Sequence, residues 1–234
     1  MAATWRATAE ILVGDVRRIF GERLRAVVAY GPSVDGASEA PLTCLALVAS
    51  LGPGDLDACA AQAPHWHRAH LATPLVIAED EFRRSLDAFP LEFGEILRTH
   101  AHVYGPDPFD GLSIAREDLR RACEAQVRGH LLHLREGYLE SGARPERVAE
   151  LVSASAPAFA ALLRNVARLD GTETRDRLEA TRSGARAAGL DDGVVSDILA
   201  LEQPEAVPSA DPARLFPAYL AAVEQLARHV DTWT

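Results

Sequence analysis

The sequence predicts an α+β chain: a mixed β-sheet with flanking helices over residues 1–108, followed by an all-helical bundle over 109–234. Two observations carry this. Up to about residue 108, short apolar runs of strand length alternate with segments of helical period; beyond about residue 112 only long 3.6-residue periodicities remain. A turn-rich stretch, His102-Val103-Tyr104-Gly105-Pro106-Asp107-Pro108-Phe109, divides the two regimes. Strands with helices, then helices alone, is the pattern of a layered α/β domain beside a bundle.

Each element follows from its own spacing. Trp5, Ala9, Leu12, Val16, Ile19 and Phe20 recur at helical intervals over 4–20, and Gly21 is a helix stop. Residues 24–30 and 43–50 are apolar runs of strand length. Gly52-Pro53-Gly54-Asp55 is a turn that starts a helix reaching about His67. Leu75-Val76-Ile77 is a third strand and Glu79 to Leu86 a short helix. Phe89-Pro90-Leu91-Glu92-Phe93-Gly94-Glu95-Ile96 alternates and reads as a further strand. In the second region, 116–140 aligns Leu119, Cys123, Val127, Leu131, Leu134 and Tyr138. Segment 145–169 aligns Val148, Leu151, Val152, Phe159, Leu162, Val166 and Leu169, with a kink expected at Pro157. Shorter helices are expected at 173–188 and 191–201 and a loop from Pro204 to Pro212. A last helix is built on Leu215, Tyr219, Leu220, Val223, Leu226 and Val230.

Composition narrows the function classes. The chain has 234 residues, 48% of them apolar, and no run approaches the length needed to cross a bilayer. A net charge of −10 argues against a general nucleic-acid binder. Cys44, Cys59 and Cys123 are odd in number and widely spaced, as free thiols of a reducing compartment are; with no apolar leader at Met1-Ala2-Ala3-Thr4-Trp5-Arg6, the expected location is cytoplasmic. All 24 basic residues are arginine, which excludes Schiff-base lysine chemistry and a P-loop lysine while leaving phosphate recognition by Arg forks available. A Lys-free, Ala- and Arg-rich composition is also what a high-GC coding sequence gives.

The stretch Leu24-Arg25-Ala26-Val27-Val28-Ala29-Tyr30-Gly31-Pro32-Ser33, with Leu42 to Ala49 after it, reads as a buried strand, a sharp Gly turn and a second buried strand. This layout resembles the site entry of the polymerase-beta-like nucleotidyltransferase superfamily, in particular small kanamycin-nucleotidyltransferase-like proteins. Leu91 to Ile96, then Val103-Tyr104-Gly105-Pro106-Asp107, is similar to that family's third-acid strand and its following turn. A helical bundle next is similar to its substrate-side domain. The resemblance implies a nucleotidyltransferase-like fold, and in the family an Asp-x-Asp pair on the second strand holds Mg²⁺ for the transfer. Here that strand reads Leu42-Thr43-Cys44-Leu45-Ala46-Leu47-Val48 and holds no acid. Acids at i and i+2 of a strand share a face, and Mg²⁺ wants hard oxygen ligands; Thr43, Cys44 and Leu45 supply no such pair. Pro32 interrupts the usual Gly-Ser turn and has no N–H for a phosphate.

The chain therefore reads as a degenerate, catalytically lapsed member that binds a small anionic ligand or a protein partner in the cleft between its two halves. The candidate ligand-binding residues are Gly31, Ser33, Glu92, Glu95, Glu124, Arg128 and Arg135, with no catalytic residue and no metal ligand assigned. The partner expected is a nucleotide or other phosphate-bearing small molecule, with a homodimer left open and no cofactor; Mg²⁺ enters only if the chain is instead an active enzyme with acids rearranged among Asp35, Glu39, Glu92 and Glu95. A third reading is a structural or interaction module without a ligand. Gly31, Ser33 and Gly36 serve equally as a tight strand connection, and Ser33 lacks the glycine a nucleophile elbow needs, since Asp35 stands there. His65, His67 and His70 do not share one helical face, and His100 with His102 and His130 with His133 lack an acid at metal-ligand spacing. Glu124, Arg128 and Arg135 fall on or beside the apolar face of the first bundle helix. They are expected to be screened from water there, either as an anion pocket or as a structural ion-pair network.

Overall fold

The computed structural model describes residues 2–34, 40–172, 174, 176–201 and 211–233. The chain forms two compact units, Met1–Ala115 and Arg116–Thr234.

In the first unit the order is α1 (Ala2–Phe20), β1 (Leu24–Tyr30), β2 (Thr43–Val48), α2 (Pro53–Arg68), β3 (Leu75–Ala78), α3 (Glu79–Ser85), α4 (Pro90–Thr99) and β4 (Ala101–Tyr104). The strands form one mixed sheet, β3-β2-β1-β4. The pair β1/β2 is antiparallel with Tyr30 opposite Thr43 and Ala29 opposite Cys44; β1/β4 is antiparallel and β2/β3 parallel. Both faces are covered, which is why β1 and β2 are nearly all apolar rather than alternating. On one face Val27, Ala29, Cys44, Ala46 and Val48 join Leu12 and Val16 of α1 and Trp66 of α2. On the other, Val28, Leu45, Leu47 and Ile77 join Phe82, Phe93 and Ile96 of α3 and α4. Phe82 meets Phe93 and Phe109 edge-on, each at 5.4 Å between ring centres, the geometry aromatic pairs prefer.

One expected strand is a helix. Residues 89–96 fall in α4, which buries Leu91, Phe93, Gly94 and Ile96. Pro90 occupies the first turn, where its fixed φ suits a helix and its missing N–H costs nothing. The alternation of Phe89, Leu91 and Phe93 imitated a strand, but Leu91, Gly94 and Leu97 keep helical spacing. The fourth strand lies later, at 101–104, overlapping the start of the stretch read as turn-rich.

The second unit contains α5 (Arg116–Ser141), α6 (Pro145–Leu169), α7 (Arg177–Ala187), α8 (Asp192–Ala200) and α9 (Pro212–Thr232), with no strand among its described residues. The helix α6 continues past Pro157. Asp176, Asp191 and Asp211 cap α7, α8 and α9, each accepting from a backbone N–H of the first turn, the arrangement that satisfies orphan donors at helix starts. Helices α6 and α7 meet backbone to backbone: a Cβ on Gly184 would lie 1.9 Å from the Leu163 carbonyl oxygen. Most of the expected loop Pro204–Pro212 lies outside the described residues.

A polar pair packs at the core of this unit. His130 Nε2 is 2.7 Å from the hydroxyl of fully buried Tyr219, which also reaches the Ser155 carbonyl at 3.5 Å. Burial, aided by the neighbouring charge of His133, pushes the His130 imidazole down to about 4, so the ring is neutral in the folded protein near neutral pH.

Candidate functional site

The turn at Gly31 is the feature the sequence singled out, and the fold builds it from one glycine conformation and three hydrogen bonds. Gly31 has φ of +84°, a region open to glycine, and an added Cβ would lie 3.1 Å from Thr43 Oγ1. Val34 N–H donates to Gly31 O at 3.1 Å and closes the turn. Thr43 Oγ1 donates to Tyr30 O at 2.6 Å, tying the start of β2 to the end of β1. Ser33 Oγ donates to Ala40 O at 2.8 Å. Its hydroxyl thus has a partner on the return path of the loop, and among the described residues no base is bonded to it that would make it a nucleophile. Asp35, Gly36 and Glu39 lie outside the described residues.

The residues of β2, the strand on which the sequence reading sought an acid pair, have a defined environment. Thr43 and Leu45 share one face of β2. Leu45 is fully buried in the layer that contains Phe82, Phe93 and Ile96. Cys44 points to the opposite face, into the layer with Leu12 and Trp66, and burial pushes its thiol up to about 12. A neutral thiol, an alkyl group and a hydroxyl already donating to a carbonyl do not fit Mg²⁺, which wants charged or carbonyl oxygens. Among the described residues no group of three His, Cys, Asp or Glu is placed to hold a metal ion. Tyr30, at the turn, also has its phenol raised, by burial first and then by Cys44.

The remaining predicted site residues are spread over the molecule. Glu92 is exposed on α4. Glu95, one turn on, receives Arg98 through both carboxylate oxygens, at 2.9 and 3.0 Å. Both lie on a helix rather than on a third-acid strand.

Glu124, Arg128 and Arg135 are not screened from water. Their side chains are 32%, 55% and 49% exposed. Each stands one residue past a buried position (Cys123, Val127 and Leu134), a rotation of about 100° that carries it from the buried stripe to its flank. Their charges are already met. Arg128 reaches Glu124 at 3.2 Å and Asp231 at 2.8 Å, and Arg135 reaches Glu224 at 2.8 Å. Arg120 adds a contact to Glu124 at 3.1 Å. The result is an ion-pair ladder joining α5 to α9.

Sequence reasoning missed the buried charge of the first unit. Asp15, 3% exposed, accepts from Trp66 Nε1 at 2.9 Å, pairs with Arg18, and has His65 Nε2 at 4.0 Å. The signal was present, since Asp15 sits three residues after Leu12 and four before Ile19, on the apolar stripe of α1. In the run His65-Trp66-His67, His65 and Trp66 serve this link, while His67 meets Thr73 at 3.0 Å. The free thiols Cys44, Cys59 and Cys123 are all buried.

No family model and no curated protein matches this chain in sequence. In three dimensions it is similar to spectinomycin adenyltransferase AAD(9) from Enterococcus faecialis, solved with ATP and spectinomycin. The two share 12% of residues at a TM-score of 0.61, with 97% of this chain and 99% of that chain covered. At that identity the likeness is one of fold: the chain has a nucleotidyltransferase-like fold, a four-stranded mixed sheet with flanking helices followed by a helical region.

Proposed function

We propose that the chain is a catalytically lapsed nucleotidyltransferase-like protein that binds a small phosphate-bearing molecule without transferring a nucleotidyl group. One observation carries this reading: β2, the strand on which the resembled family keeps its acid pair, holds no acid and lies between two apolar layers, with Cys44 buried in one and Leu45 in the other. Two-metal catalysis works by neutralising charge at the reacting phosphate, and β2 offers no charge on either face. Nucleotide is the ligand class because the fold neighbour was solved with ATP. The turn Gly31–Ser33 is the part of this chain assigned to meet it. Glu92 and Glu95 have no role in this reading, and Glu124, Arg128 and Arg135 serve the ladder between α5 and α9.

The test is ATP binding by titration calorimetry with and without Mg²⁺, beside a transfer assay with radiolabelled nucleotide and a panel of hydroxyl acceptors. Binding that chelation of Mg²⁺ leaves unchanged, with no transfer, supports the reading. Mg²⁺-dependent transfer abolished by Glu92→Ala or Glu95→Ala would replace it with an active enzyme whose acids are rearranged. No binding at all favours the interaction module. That outcome already has one observation on its side, since Pro32 offers no N–H and the Ser33 hydroxyl is engaged.

A further inference from the structure

A hollow of about 660 Å³ opens in the first unit where β1 begins and β2 ends, at the opposite end of these strands from the Gly31 turn. Its floor is apolar, made by Ala26, Leu47 and Phe82, each at most 5% exposed. One wall carries two guanidinium groups, Arg25 and Arg83, which share a single carboxylate. Arg83 is 3.2 Å from Glu79, within hydrogen-bond reach. Arg25 is 3.7 Å away and makes no hydrogen bond among the described residues. A second wall, from segment 106–112, carries Asp107 and Asp110. Asp107 is engaged, accepting from His100 Nε2 at 3.0 Å and from Phe109 N–H at 2.9 Å. The Asp110 carboxylate has no hydrogen bond and no ion pair among the described residues.

The lining thus presents one under-used cation and one unused anion over an apolar floor. A wholly anionic ligand would meet three carboxylates (Glu79, Asp107, Asp110) against two guanidinium groups. A wholly cationic one would leave Arg25 without a partner. We propose that this hollow binds a small linear zwitterion, with its carboxylate on the Arg25 and Arg83 wall, its ammonium on Asp110 and an apolar stem across Leu47 and Phe82. That chemistry is shared by dipeptides of apolar residues and by ω-amino acids. Arginine forks suit a carboxylate bidentately, and the volume lies within the ordinary range for small-ligand sites, about 300–1,000 Å³.

The experiment is titration calorimetry on the full chain with two zwitterions, leucyl-leucine and 6-aminohexanoate, whose comparison separates the two sources. Hexanoate and hexylamine supply the two charged halves. At least one zwitterion should bind at least about tenfold more tightly than either half, a factor equal to about 1.4 kcal/mol. Arg25→Gln and Asp110→Asn should each weaken binding of the same zwitterion about tenfold. Both side chains are exposed, so the melting temperature of the ligand-free variants should match that of the parent. ATP binding should be unchanged in both, which keeps this site separate from the Gly31 turn. The proposal is overturned if neither zwitterion binds, if one half binds as tightly as the whole, or if either variant binds like the parent.

Discussion

Strand β2 and helix α5 treat charge in opposite ways. In β2 the chain puts a hydroxyl at position 43, a buried thiol at 44 and a fully buried leucine at 45, with no carboxylate. In α5 three charges sit beside an apolar stripe, and the fold turns them to water and pairs them with α9 and with each other. The difference is geometric. A strand in a sheet covered on both faces has no outward direction, so a carboxylate at position 45 must be buried. A helix offers a flank about 100° from every buried position, so a charge one residue past the stripe escapes at little cost.

The sharpest way to break this comparison is to place one acid on β2. Leu45→Asp should destabilise the first unit by about 3–5 kcal/mol, the scale of an uncompensated buried charge, read by chemical denaturation. A loss below about 1 kcal/mol, the range of ordinary surface changes, would mean that the β2 face can open toward water and would weaken the case for lapsed catalysis.

A smaller effect tests the His130 imidazole of the helical unit. The His130 pKa is about 4 in the folded protein against an ordinary 6.5. A lowered folded value means that the unfolded chain takes up the proton first. The stabilisation is therefore complete above about 6.5 and is lost as pH falls from there through about 4. Asp55, which Arg23 and the Gly52 N–H hold down to about 2 from 3.8, loses its contribution only between those lower values. On acidification, amide exchange should therefore rise in 116–233 before it rises around α2. His130→Phe should remove the early phase; persistence of that phase in the variant would assign it elsewhere.

The smallest effect belongs to α5. Arg128→Ala should cost no more than about 1 kcal/mol, as half-exposed ion pairs do, and less in high salt. A salt-independent loss of several kcal/mol would show that the ladder is screened from water after all.

These contrasts also explain what could be read from the sequence. The strands β1, β2 and β3 were legible as short, nearly continuous apolar runs, and the long helices because each keeps a helical period over its length. The segment 89–96 was not, because Phe89, Leu91 and Phe93 satisfy a two-residue period while Leu91, Gly94 and Leu97 satisfy a helical one; Pro90 at the first turn was the deciding residue. At the site, the missing acids of β2 were legible as residue types. The partners were not: Asp231 and Glu224 lie about a hundred residues from Arg128 and Arg135, and no local pattern announces a contact at that separation. Likewise, Arg25 and Asp110 meet at one hollow only through the topology of the sheet.

The buried thiols give the molecule a clock. Cys44 lies in the first unit and Cys123 in the second; both are at most 1% exposed, and burial raises both to about 12. A thiol reacts as its thiolate, so neither is alkylated while its surroundings stay closed. The time at which each sulfur becomes labelled then reports how often its own unit opens, two independent readings of local unfolding from one chain and one reagent.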